Sequence, residues 1–333
     1  MKCEWTIFDG MKMFAAKDRL KALQDLGDLQ LKNSIQDVVA QTLNAYYEIV
    51  RQKQYIKAIT ESAAISSERV SLSQKKLDVG YADKTPLLQA KVDYSTQQIN
   101  IVKQETALEQ AKINLNTILG RDAHVEFDVI DEIVVNYLPN LQTIKDTAFA
   151  SNYSILSAQK NIEIAKLQHK EIKSQRLPQI NFSTGYSFTQ NNSKAGLQLQ
   201  NRSYGPSVGL NAVIPIFNGG KVKKQMESSA VQIASQQVVL QQLKNKVDAQ
   251  ILAAYKNFIF AQKILTLNEQ TVKDAKENVD LSLERFRLNQ ANSIEVKQAQ
   301  SSYEDALYNV ILSRYNAKVA ETDLKRLCND LVK

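Results

Sequence analysis

Hydrophobic residues between Val247 and Val279 recur with a strict period of seven, in two columns offset by four. Such a 4-3 spacing is typical of a coiled coil, and an unbroken seven-residue period predicts left-handed supercoiling. Because no Gly or Pro interrupts Lys221 to Asn289, we predict one helix there of roughly 100 Å, at about 1.5 Å per residue. Small residues dominate the first column and bulky ones the second: Val247, Ala254, Ala261, Asn268 and Ala275, then Ile251, Phe258, Leu265, Val272 and Val279.

The chain contains an internal repeat with an offset of 209 residues and no gaps. The segment Val38–Tyr46 falls on Val247–Tyr255, and Ile7-Phe8 falls on Ile216-Phe217. A single register held over such a distance indicates two copies of one structural unit. Each copy reads as the end of a strand, a turn, a long helix, a tight reversal and a returning helix. The predicted long helices are Met11 to Asp78 and Lys221 to Leu288, and the returning helices end near Leu119 and Leu327.

The two reversals, Val79–Pro86 and Leu288–Ser293, have matching turn residues. Gly80 and Asn289 occupy equivalent positions, and both residue types tolerate the left-handed conformation that ends many helices. Asp83 and Asn292 are predicted to cap the returning helices, because Asp and Asn side chains accept hydrogen bonds from exposed backbone N–H groups.

Two segments between the repeats alternate in polarity with period two, as strands do. In Ile180–Phe188 the apolar and aromatic residues share one parity. From Tyr204 on, one parity carries Tyr204, Val208, Leu210, Ala212, Ile214 and Ile216. Each predicted strand has about the 9–11 residues that a tilted strand needs to cross a bilayer. The intervening loop, Thr189 to Ser203, is polar. Alternation alone also fits a soluble β-hairpin with one solvent-exposed face.

The segment joining the first helix pair to these strands is less regular. The alternation in Val125–Ile130 predicts a short strand or an extended link, and Leu141 to Gln175 returns to helical spacing. Pro178 ends that helix, since a proline biases the preceding residue towards extended geometry.

Composition narrows the class of protein. Gly (10) and Pro (5) are scarce, which favours a mostly helical chain. The net charge of +7 comes from 42 basic and 35 acidic residues interleaved along the helices, and no basic run indicates nucleic-acid binding. The chain has no apolar run of about 18 residues, the length that a transmembrane helix needs, so we predict no transmembrane helix. Met1–Trp5 lacks the apolar core of a signal peptide.

Residues for catalysis or metal binding do not form recognisable motifs. Cys3 and Cys328 stand at opposite ends of the chain, without disulfide or metal spacing. His124 and His169 have no second ligand at metal spacing. We therefore expect a protein that is not an enzyme and that uses no cofactor and no metal.

The order of these features resembles the TolC-like outer membrane efflux proteins. The resemblance rests on the strand-to-helix junctions Trp5-x-x-Phe8-Asp9-Gly10 and Ile214–Gly220, on Arg176-Leu177-Pro178 before a strand, and on the two tips with their following Gln89-Ala90 and Gln298-Ala299. It implies a homotrimer with a transmembrane β-barrel and a periplasmic α-barrel. That trimer is a passive exit duct, docked at its helical tips to a periplasmic adaptor (membrane fusion protein) and an inner-membrane transporter.

The resemblance implies a fold class and a domain order. The fold is mainly α with a small β part: two tandem repeats of a very long antiparallel coiled-coil helix pair, as α-barrel staves, plus antiparallel strands of a shared barrel. The expected order is a β-barrel strand remnant (1–9), the first long helix pair (10–120), an equatorial region (121–178), a β-barrel hairpin (179–218), and the second long helix pair with the C-terminal end (219–333).

The resemblance also implies roles for particular residues. The adaptor-contact tips are Val79, Gly80 and Tyr81, and Leu288, Asn289 and Gln290. Glu295, with Gln298 at the second acidic position of the family, is the expected channel constriction, while Pro86 replaces a latch Asp. In an outer membrane the lipid-facing strand residues are Ile180, Phe182, Tyr186, Phe188, Val208, Leu210, Ile214 and Ile216, and the aromatic girdle is Trp5, Phe8 and Phe217.

The chain departs from the family in its first copy. Members begin with a signal peptide, a helical segment and a first strand pair, whereas here only the end of one strand precedes the first long helix. We expect a truncated N-terminus, an incomplete barrel and doubtful export of the chain as written. The alternatives are a soluble structural or adaptor-type coiled-coil protein and a non-functional fragment of such a channel.

Overall fold

The computed structural model describes residues 1–192 and 200–332; the side chains of residues 191, 192, 200 and 201 are outside the description. Residues 193–199, the centre of the predicted polar loop, also lie outside it. The described part contains, in chain order, β1 (Lys2–Phe8), α1 (Lys12–Asp78), α2 (Lys84–Ile118), α3 (Leu141–Ser151), α4 (Tyr153–Ser174), β2 (Gln179–Asn192), β3 (Gln200–Val213), α5 (Lys221–Arg287) and α6 (Ser293–Leu327).

The helices confirm the internal repeat. Helices α1 and α5 each have 67 residues, and α2 and α6 each have 35. Both pairs start and end 209 positions apart. The prediction of a mainly helical chain with two tandem long helix pairs and a small antiparallel sheet is therefore confirmed.

Backbone conformation repeats with the same offset. Eight described residues have positive φ, and they form four pairs separated by 209 positions, each pair at equivalent turns. The pairs are Gly10 and Gly219, Met11 and Gly220, Gly80 and Asn289, and Gly120 and Asn329. The predicted left-handed residues Gly80 (φ +76°) and Asn289 (φ +59°) are among them, so that prediction is confirmed.

The three strands form one antiparallel sheet in the order β1-β2-β3. Strands β2 and β3 pair over their full length, with Phe182 opposite Leu210. Strand β1 pairs with β2 so that Trp5 lies opposite Phe182. The register shifts between Thr6 and Phe8, which keeps Phe8 on the same face as Trp5.

The strand boundaries differ from the sequence prediction in two ways. Strands β2 and β3 each have 14 residues and extend further towards the loop than predicted. At its other end β3 stops at Val213, so the prediction that it continues to Phe217 is wrong. Pro215 gives the physical reason, because it has no backbone N–H to donate to a strand ladder. Ile214 and Ile216 therefore lie beyond the strand.

The described chain divides into two compact units. The first comprises residues 1–33 and 153–245 and contains the sheet. Its helical core consists of Ala22 and Leu26 of α1 against Ile164 and Leu167 of α4.

The second unit comprises residues 34–152 and 246–333, described to residue 332. Here the seam predicted on α5 faces inward, since all ten of its residues are buried or half-buried. Val279 packs on Ala299 and Tyr303 of α6, while Val310 and Ile311 of α6 pack on Ala58 of α1. The second unit is thus held by coiled-coil contacts both within and between the repeats.

The segment 121–140 has no regular strand, so of the two predictions for Val125–Ile130 only the extended link holds. Val129 and Ile133 nevertheless pack into a core with Ile49 and Val50 of α1. The predicted helix Leu141–Gln175 is broken at Asn152, which gives α3 and α4.

Candidate functional site in the helix tips and the sheet

The two helix reversals end in the same hydrogen-bonded turn. At the first tip, the N–H of Gly80 donates to the carbonyl of Leu77 (3.0 Å) and that of Tyr81 to Lys76 (2.8 Å). At the second tip the equivalent N–H groups of Asn289 and Gln290 donate at 3.3 and 2.8 Å. This pattern satisfies the last carbonyls of a helix when one residue is left-handed.

The structure brings the two tips together in the second unit. Tyr81 of the first tip and Asn289 of the second line one cleft of about 290 Å³. Val79, Tyr81 and Leu288 are exposed, at 68, 76 and 59%. The tips thus present apolar side chains on a backbone that is fixed by hydrogen bonds. Their contact with an adaptor stays a prediction.

Only one of the two predicted helix caps forms. The side chain of Asn292 accepts hydrogen bonds from the N–H groups of Ile294 and Glu295, both at 2.9 Å. Asp83 makes no side-chain cap hydrogen bond, so the prediction for that residue is wrong. The helix it precedes has Pro86 in its first turn, which removes one of the N–H donors that a cap would serve.

The predicted constriction residues Glu295 and Gln298 lie exposed in the first two turns of α6. A carboxylate oxygen of Glu295 is 3.9 Å from a guanidinium nitrogen of Arg285. That cation, on the preceding helix, offsets part of the negative charge that the sequence alone assigns to this position. The role of Glu295 in a constriction stays a prediction.

A buried polar network near the tips was missed by the sequence analysis. Arg69 of α1, only 1% exposed, forms an ion pair with Asp93 of α2 and donates to Gln300 of α6 at 3.3 Å. Gln300 in turn donates to Ser66 at 2.7 Å, and Lys297 contacts Asp93 at 2.8 Å. The network therefore joins the first repeat to the second.

The signal for this network was present in the seam of α1. The columns that carry apolar residues elsewhere are occupied by Ser62, Ser66, Arg69 and Ser73, all buried. Polar residues in consecutive seam positions require polar partners on the facing helices. Those partners could not be identified before the helices were placed.

The electrostatics of Asp93 follow from its neighbours. Burial alone would raise the pKa of its carboxyl group, but hydrogen bonds from Lys297 and Gln89 and the charge of Arg69 oppose this. The net result is a pKa below its ordinary value. Asp93 is therefore ionised at neutral pH and holds two cations from different helices.

One face of the sheet is apolar and the other polar. Paired residues share a face, so the register places the predicted lipid-facing residues of β2 and β3 together with Trp5. Several residues of this apolar face, including Tyr204, which was not among the predicted ones, are largely exposed in the chain: Trp5 (70%), Tyr186 (54%), Phe188 (66%), Tyr204 (69%), Val208 (73%) and Leu210 (70%). Ile180 and Phe182 of the middle strand are half-buried. The opposite face carries Asn181, Ser183, Gly185 and Ser187.

The predicted girdle residues lie at different depths. Phe8 ends β1 next to Ile180, at the end of the sheet from which the helices continue. Phe217 lies beyond the end of β3 and is 88% exposed. Trp5 lies three residues further into the sheet than Phe8. The girdle roles of Trp5, Phe8 and Phe217 stay predictions.

Two helices of the second unit carry exposed apolar stripes at heptad spacing. Neither stripe is part of the seam identified in the sequence. On α2 the residues are Leu88 (51%), Val92 (60%), Ile99 (56%), Val102 (61%) and Ile113 (47%). On α5 they are Phe260 (56%), Ile264 (52%), Leu267 (69%) and Leu281 (58%). Phe260 and Ile264 also line a groove of about 580 Å³ between α5 and α6.

The histidines and cysteines do not form a common site: Cys3 is exposed on β1 and Cys328 is buried. His169 lies 2.6 Å from the hydroxyl of Ser229, and burial raises the pKa of the Cys328 thiol to about 11. Within residues 1–192 and 200–332, no three His, Cys, Asp or Glu side chains are grouped to hold a metal. No helix in the described part of the chain is at once long and apolar enough to span a bilayer.

The fold matches that of a solved outer-membrane channel. The structure of the outer-membrane channel OprN superimposes with a TM-score of 0.82, covering 99% of this chain and 74% of that one, at 14% identity. A profile of the family described as outer membrane efflux protein matches residues 1–121 and 145–330. The chain belongs to the outer membrane efflux protein family, which confirms the resemblance inferred from its sequence.

Two curated relatives show the extent of this likeness. Outer membrane efflux protein BepC of Brucella suis biovar 1 (strain 1330) is 23% identical over 304 residues, 89% of this chain and 64% of the relative. Outer membrane protein TolC of Escherichia coli (strain K12) is 20% identical over 336 residues, 96% of this chain and 66% of the relative. The chain thus spans slightly less than two thirds of either relative's length.

Proposed function

We propose that this chain is a protomer of a trimeric outer-membrane exit duct for efflux or type I secretion. The duct is a passive conduit whose helical tips dock to a periplasmic adaptor and an inner-membrane pump. The observation that carries the proposal is the pair of exposed apolar stripes on α2 and α5, which require partner helices. Membership of the family supports it.

The stripes favour a ring over a simple dimer. They differ in sequence and lie on different helices, so the stripe of α5 in one copy meets that of α2 in the next. A contact between two different surfaces is heterologous, and such contacts build a closed ring when the rotation permits. At roughly 25 cal/mol per Å² of apolar surface, the burial of several exposed Leu, Ile, Val and Phe side chains supplies the driving force.

The sheet supports insertion into a membrane. Its apolar face is exposed, and among the described residues its two outer strands, β1 and β3, each have a free edge, which a closed barrel would remove. Both outer strands are antiparallel to β2 and so run in the same direction. A copy of β3 therefore cannot pair antiparallel with the β1 of the next copy. Since single-chain bacterial barrels have an even number of antiparallel strands, we propose that a fourth strand per protomer, not among the described residues, fits between them.

The tips support docking to a partner. Tyr81 and Val79 are exposed on a turn that hydrogen bonds hold rigid, and exposed aromatic and apolar side chains on a rigid support are typical of interface anchors. An adaptor with a helical hairpin would meet Tyr81, Leu288 and the cleft between the tips.

The oligomeric state of the detergent-solubilised chain tests the proposal. We expect a protein mass three times the 37.5 kDa of one chain. The substitutions Ile264→Glu and Leu267→Glu should release monomers, because they place charges in the stripe of α5. Lys273→Glu, an exposed position on the same helix but on a different face from the stripe, is the matched control. A stable wild-type monomer with full helicity would overturn the proposal.

The second candidate, a soluble coiled-coil scaffold, predicts a different result in cells. A scaffold would remain in the soluble fraction without detergent, whereas the duct would sediment with the outer membrane. The exposed apolar face of the sheet favours the duct, since monomeric soluble proteins rarely expose large contiguous apolar patches.

A further inference from the structure

The net charge of the chain is concentrated in three short segments. Residues 9–21, 166–176 and 221–230 together contain eleven basic and four acidic residues, a net charge of +7. The whole chain has 42 basic and 35 acidic residues, which is also +7. Subtracting the three segments leaves 31 of each sign. The rest of the molecule is therefore neutral, and the three segments carry all of the excess; we call them the basic collar.

The fold places the three segments at one end of the sheet. Phe8 pairs with Ile180 and Gln179 with Val213, so these ends of the three strands are neighbours. Segment 9–21 begins directly after Phe8, segment 166–176 ends three residues before Gln179, and segment 221–230 starts eight residues after Val213. The collar thus adjoins the same edge of the apolar sheet from three directions.

Side-chain contacts hold the collar segments together. Arg19 pairs with Glu171 at 2.6 Å, and His169 contacts Ser229 at 2.6 Å. A Cβ atom at Gly10 would lie 2.5 Å from the carbonyl oxygen of Ser174, so α1 starts in close contact with the end of α4. All of these residues belong to the first unit.

Helix stability accounts for only part of the collar: Lys173, in the last turn of α4, lies where the helix dipole favours a cation. It does not account for the cations at the starts of α1 and α5. Lys12, Lys221, Lys223 and Lys224 lie in the first turns of α1 and α5, neither of which has an acidic residue there. The positive end of the helix dipole disfavours cations at this position. Ten of the eleven basic residues are exposed, the exception being Arg19. Exposed cations at an unfavourable position, beside an apolar surface, indicate an external anionic partner.

We infer that the basic collar binds the headgroups of anionic phospholipids in the leaflet that faces the helices. This inference rests on the proposed function, because it requires the apolar face of the sheet to lie in a bilayer. The ends of β1, β2 and β3 then lie at the membrane surface, where Lys and Arg side chains reach the phosphates. Basic residues at such a surface each contribute about 1 kcal/mol of attraction to anionic lipid, which is roughly fivefold in affinity.

Vesicle binding by the full chain tests the inference. The full chain is diluted from detergent onto vesicles of phosphatidylcholine, alone or with about 30 mol% phosphatidylglycerol, and bound protein is measured by flotation. We expect tighter binding to the anionic vesicles. The variant Lys12→Gln/Lys221→Gln/Lys223→Gln should reduce this preference by about tenfold or more. The same variant should fold at least as stably as wild type, since it removes cations from helix N-termini.

The matched control is Lys246→Gln/Lys256→Gln/Lys263→Gln, which removes three exposed charges from the same helix α5 outside the collar. It should keep the preference. Equal binding of wild type to both kinds of vesicle overturns the inference that the collar binds anionic lipid, but not the proposal that the sheet inserts into the bilayer. Binding to neither vesicle overturns both proposals. If inorganic phosphate, at matched ionic strength with chloride, abolishes the preference, the collar is a site for free phosphate and the lipid assignment is wrong.

Discussion

Met11 and Gly220 lie 209 positions apart and share one left-handed backbone conformation, with φ of +69° and +76°. Each is the last residue before a 67-residue helix. Glycine adopts this conformation without steric cost, whereas a residue with a Cβ atom is strained by about 1–2 kcal/mol. The second copy of the repeat thus has the residue that the turn favours, and the first copy does not.

Met11→Gly is therefore expected to stabilise the protein. Relief of the strain, reduced by the extra flexibility of glycine in the unfolded chain, should raise the free energy of unfolding by about 0.5–1 kcal/mol. Little packing is lost, because Met11 is 58% exposed. Urea unfolding followed by circular dichroism measures the change. Gly220→Ala is the reciprocal control and should destabilise by about 1 kcal/mol, because a Cβ atom there would have no other atom within 4 Å and only backbone strain is added. A destabilised Met11→Gly would contradict this account.

Asp93→Asn should destabilise the protein strongly. The substitution leaves Arg69, which is 1% exposed, without its anionic partner, and removal of one member of a buried ion pair typically costs about 3–5 kcal/mol. The midpoint of denaturant unfolding gives the value. Glu68→Gln breaks the exposed pair with Arg287 nearby and should cost less than about 1 kcal/mol. Similar losses for the two variants would show that the buried pair of Arg69 and Asp93 stabilises the fold no more than the exposed pair does.

The ionisation of Asp93 should make the free energy of unfolding depend on pH. The pKa of Asp93 is lowered in the folded protein, so its ionised form stabilises the fold above the unfolded value of about 3.9. That contribution is lost as the pH falls below about 4 and through the lowered folded pKa. The difference in unfolding free energy between wild type and Asp93→Asn should thus narrow between about pH 5 and pH 3. A constant difference over this range would exclude Asp93 as the titrating group.

The two tips provide a matched test of helix capping. Asn292→Ala should cost about 1 kcal/mol, because Asn292 accepts two backbone hydrogen bonds at the start of α6. Asp83→Ala, at the equivalent position of the first copy, should change the unfolding free energy by a few tenths of a kcal/mol at most, since Asp83 accepts none. Thermal unfolding of both variants measures the two changes in unfolding free energy. Equal losses would mean that Asp83 caps α2 in solution.

By itself the sequence determined the features that depend on local periodicity. The heptad spacing predicted helix α5, and the 209-residue offset predicted a first copy with a long helix of equal length. Gly80 and Asn289 marked the turns at the tips, because the left-handed conformation restricts residue type locally. The family followed from the order of these elements.

Only the tertiary structure decided which distant residues meet. Arg69 and Asp93 are on different helices, and the sequence does not say which helix faces a polar seam position. The outcome at Asp83 depended on side-chain geometry, which the residue type alone does not give. The interleaved charges looked evenly spread along the chain, yet folding gathers three separate segments into the basic collar. Electrostatic and packing interactions act through space, and the folded chain brings together residues that lie far apart in sequence.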